Sequence, residues 1–178
     1  GNLLPIFTSE LVAEMRSLVS RADIITPNLT ELCLLTGTDY EMIKVMTEEK
    51  HLVTAAEQMA GNLMAEGTKE VLVTGIRFSD KESGQEMMGN LAVTKEGVSF
   101  AAFPFIGESF SGTGDLFASV VAGGRARGDS LEEAMKLAGE MIERAIRDSV
   151  KEHVPRNDGV DYEQYLWMLG EKNRLKKE

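Results

Sequence analysis

Residues Phe110–Ser119 read FSGTGDLFAS, and the interpretation of the whole chain starts from this stretch. Gly112 and Gly114 flank a threonine, Asp115 follows at once, and an apolar run with the spacing of one helix face begins at Leu116. The pattern predicts a tight turn that leads into a helix. Glycine lets a backbone approach a ligand closely, and the first N–H groups of a helix carry about half a positive charge, so the turn suits an anion such as phosphate. The same residues are equally consistent with a purely structural turn, in which Asp115 only stabilises the start of the helix.

A second motif lies upstream, where a short apolar run meets Thr26-Pro27 and the segment Asn28-Leu29-Thr30-Glu31 follows. The apolar run, Ile24-Ile25, predicts a buried strand that stops at proline. Asn28 with Glu31 three residues later has the spacing of a capping box at the start of a helix, which Gly37 would end. On spacing alone, capping is a sufficient role for both residues.

The next strand is predicted at Val71–Gly75, after a helix that spans about residues 52–66. A strand, helix and strand of these lengths predict a right-handed parallel crossover. Thr74 and Gly75 are therefore expected at the carboxyl end of their strand, at the same sheet edge as Thr26 and Asn28. Open α/β sheets bind ligands at this edge.

The other predicted elements extend this α/β pattern. Three short strands separated by turns predict an antiparallel edge, and apolar positions at helical spacing predict further helices, with Ser130 as an N-cap. The predicted strands lie at about residues 85–88, 91–94 and 98–103, and the predicted helices at 8–22, 131–149 and 162–169, with a loop at 79–84 and a break at Gly123-Gly124.

Composition excludes several classes of protein. The chain has 178 residues and a formal net charge of −10, which argues against a nucleic-acid partner because phosphate backbones need a basic face. A basic tail, at Lys172, Arg174, Lys176 and Lys177, is interleaved with glutamates and is interpreted as a solvated helix end. No apolar run approaches the roughly 20 residues of a membrane span. The single cysteine, Cys33, is predicted to be a buried thiol, which favours the cytoplasm.

The residues of the two motifs resemble those of a known family. Gly-Thr-Gly-Asp opening an apolar helix is similar to the motif of the ribokinase-like superfamily of small-molecule kinases, and the continuation Leu-Phe-Ala-Ser looks most like its pyridoxal kinase branch. Asn28 and Glu31 match the Asn-x-x-Glu motif of the same superfamily. The resemblance implies a three-layer α/β/α fold with a mainly parallel sheet and an antiparallel edge, and residues 1–178 would form the C-terminal, nucleotide-binding and phosphoryl-transfer part of one domain.

The resemblance also implies the roles of individual residues. Asp115 would be the base that faces the substrate hydroxyl, and Gly112, Thr113 and Gly114 would form an anion hole for the transferred phosphoryl group. Glu31 would hold Mg²⁺ largely through water, and both motifs would converge on one ATP. The resemblance also places four residues beside the nucleotide phosphates: Thr26, Asn28, Thr74 and Gly75. A monovalent cation is a further candidate cofactor. Phe103–Ile106 is a candidate apolar wall beside adenine, as is the small-residue surface at Ala138-Gly139, although ordinary packing explains them equally well.

The implied reaction is ATP-dependent phosphorylation of the 5′-hydroxymethyl group of pyridoxal, pyridoxine or pyridoxamine. A hydroxymethylpyrimidine kinase of the same superfamily and a catalytically silent nucleotide-binding relative remain alternatives. Gly1–Leu4 resembles a stretch that lies well inside family members, so the N-terminal part of the fold, with most of the substrate pocket, is expected to be missing and the chain is expected to be inactive alone. The resemblance also makes a homodimer a candidate, whereas His51 and His153 have no partner at ligand spacing.

Overall fold

A computed structural model describes residues 8–107 and 109–170 of the chain. The predictions for Gly1–Leu4 and for the basic tail at 172–177 lie outside the described residues. The chain divides into two compact units, residues 1–100 and 101–178. The prediction that residues 1–178 form part of a single domain stays a prediction.

In the described residues, the first unit contains four helices and most of a four-stranded sheet. Its helices are α1 (Ser9–Val19), α2 (Leu29–Thr36), α3 (Tyr40–Lys44) and α4 (Glu49–Ala65). Its strands are β1 (Ile24–Ile25), β2 (Glu70–Ser79) and β3 (Glu86–Val93), and β4 (Val98–Pro104) begins in this unit and ends in the second. The strand order is β1-β2-β3-β4.

The sheet contains one parallel and one long antiparallel pairing. β1 runs parallel to β2, with Ile24 opposite Glu70, and β2 runs antiparallel to β3, from Val71 opposite Val93 to Ser79 opposite Glu86. Strand β2 thus continues beyond Gly75, where the sequence analysis ended it. The register shifts between Val73 and Ile76, and Gly75 takes a φ of +72° there, so the glycine makes an irregularity inside the strand rather than a stop.

Strand β3 also corrects the sequence analysis, which placed a turn at Gly89-Asn90. The strand runs straight through this dipeptide, and the ring of Phe100 lies over Gly89: a Cβ built on Gly89 would stand 2.3 Å from the ring. Glycine is therefore required by the packing of the neighbouring strand and not by a turn. The turn at residues 95–97 is present, with the Thr94 N–H donating to the carbonyl of Gly97 at 3.0 Å.

The core of the first unit is formed where α4 packs on β2 and β3 and where α2 packs on α4. Each large aliphatic side chain buried there contributes about 1.5–3 kcal/mol. Its fully buried members include Leu32, Leu63, Leu72, Ile76 and Leu91. Cys33 is 1% exposed, as predicted, and burial raises the pKa of its thiol.

The second unit is mainly helical. Its described residues form α5 (Thr113–Ala126), α6 (Leu131–Lys151) and two 3-10 helices, Arg156–Asp158 and Glu163–Leu169. The second 3-10 helix coincides with the helix predicted at 162–169. Helix α5 does not break at Gly123-Gly124, because Gly124 is buried against the Cβ of Ala134, 3.0 Å from where its own Cβ would lie. None of the helices in the described part of the chain is both long and apolar enough to cross a lipid bilayer.

Candidate functional site

The end of β1 and the irregularity in the middle of β2 bring three of the predicted binding residues together in the first unit. The Thr74 N–H donates to the carbonyl of Pro27 at 2.9 Å, and Asn28 and Thr74 form a parallel bridge. Gly75 is close enough that a Cβ on it would lie 3.9 Å from the Cβ of Asn28. Thr26 directly precedes Pro27. The parallel crossover therefore places Asn28 beside Thr74 and Gly75 at the carboxyl end of β1, which is called the sheet edge below. Thr74 and Gly75 do not end their own strand as expected, because β2 continues to Ser79.

Asn28 and Glu31 form a complete capping box at the start of α2. The Asn28 side chain accepts from the Glu31 N–H, and Glu31 Oε2 accepts from the Asn28 N–H, both at 2.9 Å. The structural explanation of this motif is thus correct. The capping box uses only one carboxylate oxygen of Glu31. The other oxygen, Oε1 of this exposed side chain, has no hydrogen-bond partner among the described residues. One free oxygen fits a magnesium ion that keeps most of its waters.

Glu31 is not part of a larger cluster of metal-ligating side chains among the described residues. Within residues 8–107 and 109–170 there is no group of three or more His, Cys, Asp or Glu that could hold a metal ion. This donor set fits Mg²⁺, which is bound through one or two carboxylates and substrate phosphates, and not a metal that needs an all-protein cage. The metal role of Glu31 stays a prediction.

An open cleft of about 480 Å³ adjoins this sheet edge within the first unit. Asn28 and Gly75 are among its lining residues, and the other walls come from the start of α2, from α3 and the segment after it, from Leu52 of α4 and from β2 and β3. Sequence reasoning did not identify these walls, which include Tyr40, Lys44, Met46, Arg77, Phe78 and Glu86. No sequence signal marks them, because they lie on separate elements in a stretch without a motif.

The turn before α5 carries the other predicted residues, all in the second unit. Gly112 is the N-cap of α5 and has a φ of +79°, a left-handed conformation that favours glycine. The Thr113 hydroxyl donates to the carbonyl of Phe110 at 3.1 Å, and the Ser111 N–H donates to the carbonyl of Arg156 at 2.9 Å. These bonds hold the turn on both sides.

The start of α5 presents a set of unpaired donors. In the part of the chain that the structure describes, the N–H groups of Thr113, Gly114 and Asp115 have no hydrogen-bond acceptor. Gly114 has no backbone reason to be glycine, since its φ is not positive and a Cβ on it would have nothing within 4 Å. The open space above Gly114 is room for a ligand. Asp115 is exposed in this first turn.

A small buried cluster anchors the turn to the rest of the second unit. Phe110 is 5% exposed and packs with Ala145 and Val160, and partly buried side chains surround the three. Nearby, the Tyr165 hydroxyl donates to the Asp148 carboxylate, which holds the second 3-10 helix against α6. The position of the α5 start therefore depends on apolar residues outside the motif itself.

The candidate adenine surface at Gly139 is occupied by protein. A Cβ on Gly139 would stand 2.2 Å from the Phe103 ring, so the ring fills the space that the missing side chain leaves. Packing thus explains both the glycine and Phe103.

The predicted site residues fall into two groups, one in each unit. Thr26, Asn28, Glu31, Thr74 and Gly75 belong to residues 1–100, and the Gly112–Asp115 turn belongs to residues 101–178. Their binding and catalytic roles stay predictions.

Comparison with known proteins identifies the family. The family model described as phosphomethylpyrimidine kinase matches residues 4–157. A pyridoxal kinase of Rubrobacter xylanophilus is 32% identical over 139 residues, which are 75% of this chain and 44% of that protein.

Two solved structures have the same fold over almost the whole chain. A Bacteroides thetaiotaomicron protein assigned as a phosphomethylpyrimidine kinase is 28% identical with a TM-score of 0.79, covering 97% of this chain and 55% of that one, and a second crystal form of it contains pyridoxal. The pyridoxal kinase of Lactobacillus plantarum is 26% identical with a TM-score of 0.78, covering 97% of this chain and 58% of that one.

These matches confirm the predicted ribokinase-like α/β fold, and the chain spans about half the length of the relatives it matches. The chain belongs to the phosphomethylpyrimidine kinase family, as a pyridoxal kinase-like member of the ribokinase-like superfamily.

Proposed function

We propose that this chain is the nucleotide-binding and phosphoryl-transfer part of an ATP-dependent kinase that phosphorylates the 5′-hydroxymethyl group of a vitamin B6 compound. The observation that carries the proposal is the start of α5, where three adjacent N–H groups lack acceptors among the described residues and lie beside the open space at Gly114. Donors arranged in this way stabilise charge that develops on a transferred phosphoryl group. Family membership and the pyridoxal in the Bacteroides thetaiotaomicron crystal support the substrate class.

The reaction assigns distinct tasks to the chain's own residues. The substrate hydroxyl oxygen forms a bond to the γ-phosphorus of ATP, the bond from that phosphorus to the bridging oxygen breaks, and ADP leaves. Asp115 orients the hydroxyl and accepts its proton, which an ordinary carboxylate can do because the transition state of phosphoryl transfer is loose and the proton can leave late. The N–H groups of Thr113, Gly114 and Asp115 stabilise the negative charge on the group in transit.

The first unit supplies the second half of the site in this proposal. Asn28, Thr74 and Gly75 would lie beside the phosphates, with Thr26 preceding them at the sheet edge. Glu31 would hold magnesium through water by the carboxylate oxygen that the capping box leaves unused. Magnesium, when bound, neutralises phosphate charge. The proposal includes that both groups of residues bind one ATP. It also includes a cytoplasmic location, which the reduced Cys33 favours, and a homodimer.

The experiment measures ADP release and nucleotide binding with Asp115→Asn in the full product of the gene. We expect turnover with pyridoxal to fall by several orders of magnitude while ATP binding and the melting temperature stay close to those of the parent, because the amide keeps the shape but cannot accept the proton. Asp158→Asn, at an exposed aspartate of the same unit, is the matched control and should leave turnover unchanged. Near-normal turnover in Asp115→Asn would refute the catalytic role.

Phosphorylation of a hydroxymethylpyrimidine is the second candidate activity. The description of the matching family model and the assignment of the Bacteroides thetaiotaomicron protein favour it. A substrate panel of the three B6 compounds and hydroxymethylpyrimidine, assayed with the parent protein, separates the two. ATP binding without ADP release on any member would instead indicate a silent nucleotide-binding relative.

A further inference from the structure

The chain leaves α6 by a sharp turn and then packs against both that helix and the turn before α5. His153 has a φ of +57°, and the Val154 N–H donates to the carbonyl of Ser149 at 2.9 Å, a bond of the Schellman arrangement that ends many helices. Residues 153–165, called the return segment below, begin at this point. Its contacts described here all lie within residues 101–178.

Two hydrogen bonds attach the return segment to the last turns of α6. The Asp161 N–H donates to Oγ of Ser149 at 2.9 Å, and the Tyr165 hydroxyl donates to the Asp148 carboxylate. The Ser149 side chain is completely buried, so the first of these bonds is shielded from water. The return segment therefore has a defined place on a helix of 21 residues.

The same segment contacts Phe110 and Ser111, which precede the start of α5. The Arg156 carbonyl accepts from the Ser111 N–H at 2.9 Å, and Val160 packs with Phe110 in the small buried cluster. Gly159 lies between these two contacts, and a Cβ built on it would stand 3.5 Å from the Ser111 carbonyl oxygen. Its φ of +86° and ψ of −168° form a combination that is essentially restricted to glycine. The conformation of Gly159 thus sets how the return segment meets the turn.

We infer that the return segment positions the anion-binding N–H groups at the start of α5, with Gly159 as the central positioning residue. The inference rests on the proposed function for the reaction, and it adds a part of the chain that no motif marks. Only Gly112 separates Ser111 from Thr113, whose N–H is the first of the three that lack acceptors among the described residues. A shift of the Ser111 backbone therefore reaches these donors across one residue. Donors stabilise developing charge only at about 3 Å from the oxygen that carries it, and a misplacement of about 1 Å can cost about a hundredfold in rate.

A structural explanation of the return segment competes with this one. Phe110, Ala145 and Val160 form a buried cluster, and covering that cluster would be a sufficient role. A segment with only this role lowers the melting temperature when it is disturbed and leaves the turnover of the folded protein unchanged. A positioning segment also lowers kcat while the KM for ATP stays nearly constant, because the contacts it maintains are made mainly in the transition state.

The test compares Gly159→Ala with the control Gly128→Ala in the full product of the gene. Gly128 has a φ of +92° between α5 and α6, and a Cβ on it would have nothing within 4 Å, so alanine is strained at both positions but adjoins the turn at only one. Both variants should melt a few degrees below the parent. Steady-state kinetics with pyridoxal and ATP, well below the melting temperatures, should show kcat reduced about 10- to 100-fold in Gly159→Ala and within about twofold of the parent in Gly128→Ala. The KM for ATP should stay within about twofold in both variants.

Hydrogen exchange at the Ser111 N–H measures the attachment of the turn directly. We expect this amide to exchange faster in Gly159→Ala than in the parent or in Gly128→Ala. Ser149→Ala is a second, milder variant, because it removes the acceptor of the Asp161 N–H with little change in buried volume. It should lower kcat in the same direction by a smaller factor, and it carries the test if Gly159→Ala does not fold.

Two results would overturn the inference. One is a kcat in Gly159→Ala equal to that of Gly128→Ala, or a kcat in Ser149→Ala equal to that of the parent. The other is a fall in kcat without faster exchange at the Ser111 N–H. Both are measured against a parent whose turnover depends on Asp115. Absence of that dependence refutes the proposed catalytic role instead, so the two failures are distinguishable.

Discussion

Glu31 has two candidate roles, and substituting it by glutamine separates them. A capping box accepts glutamine in place of glutamate, because the amide oxygen can also accept the N-cap N–H. A magnesium site depends instead on the negative charge. Glu31→Gln therefore keeps most of the first role and loses the second.

The chain contains a matched control in the capping box at the start of α6. The Ser130 N–H donates to Glu133 Oε2 at 2.9 Å and the Glu133 N–H donates to Ser130 Oγ at 3.1 Å, close to the two 2.9 Å bonds of Asn28 and Glu31. No metal role is proposed for Glu133. Glu133→Gln thus shows what the loss of a capping-box carboxylate does at a helix start to which no metal is assigned.

The expected magnitudes differ between the two roles. Loss of a charge near a helix N-terminus costs about 0.3–1 kcal/mol, which lowers the melting temperature of a protein of this size by about 1–4 °C in both variants. A carboxylate and a divalent cation about 5 Å apart through one water interact by about 1.7 kcal/mol even at the dielectric constant of water, which corresponds to about a fifteenfold change in affinity. Only Glu31→Gln should show this second loss.

The assay titrates magnesium at fixed ADP and follows nucleotide binding by calorimetry, alongside thermal melting without ligand. We expect both variants to melt slightly below the parent and only Glu31→Gln to need about fifteenfold more magnesium for half-saturation. Equal magnesium requirements in Glu31→Gln and Glu133→Gln would refute the reasoning, and Glu31 would then be a helix cap and nothing more.

Two further predictions concern stability. A Cβ on Gly67, whose φ is +130°, would stand 2.3 Å from the Ser20 carbonyl oxygen, so Gly67→Ala should lower the free energy of unfolding by about 2–5 kcal/mol. The control is Gly61→Ala, in open space within α4, which should raise the free energy of unfolding by up to about 1 kcal/mol. Chemical denaturation measures both changes. Hydrogen bonds from Lys151 and from Tyr165 lower the pKa of the Asp148 carboxyl, so the stability that Asp148 contributes is present above its unfolded pKa of about 3.9 and is lost as pH falls through its lower folded pKa. Tyr165→Phe should accordingly melt below the parent at pH 7, with a difference that shrinks on acidification; a constant difference would contradict this.

Local sequence was sufficient to predict the features that depend on neighbouring residues. The start of α2 at Leu29 after the Asn28 cap, its end at Gly37 in a left-handed conformation and the start of α6 after Ser130 all agree with the structure. Each of these depends on hydrogen bonds between residues no more than about four or five positions apart. Such bonds form in the same way wherever the helix packs.

Features that depend on packing between distant residues were predicted wrongly or not at all. Gly89 was predicted to lie in a turn, but it lies in a strand under the ring of Phe100. Gly124 was predicted to break a helix, but it lies inside α5 in contact with Ala134. Neither glycine has a positive φ, so no local rule distinguishes it from a turn glycine. The partner side chain alone explains each residue.

The sequence by itself determined the family, the α/β class and the two motifs, because these reside in residue types at short, fixed spacings. The tertiary structure decided which oxygen of Glu31 the helix cap uses, how far β2 continues beyond Gly75 and which side chains surround the cleft beside Asn28. The physical reason is that the cleft is formed by several separate elements, α2, α3, α4, β2 and β3, together. Its lining joins residues as far apart as Asn28 and Glu86, whose approach is fixed by strand pairing and core packing rather than by the amino acids beside them.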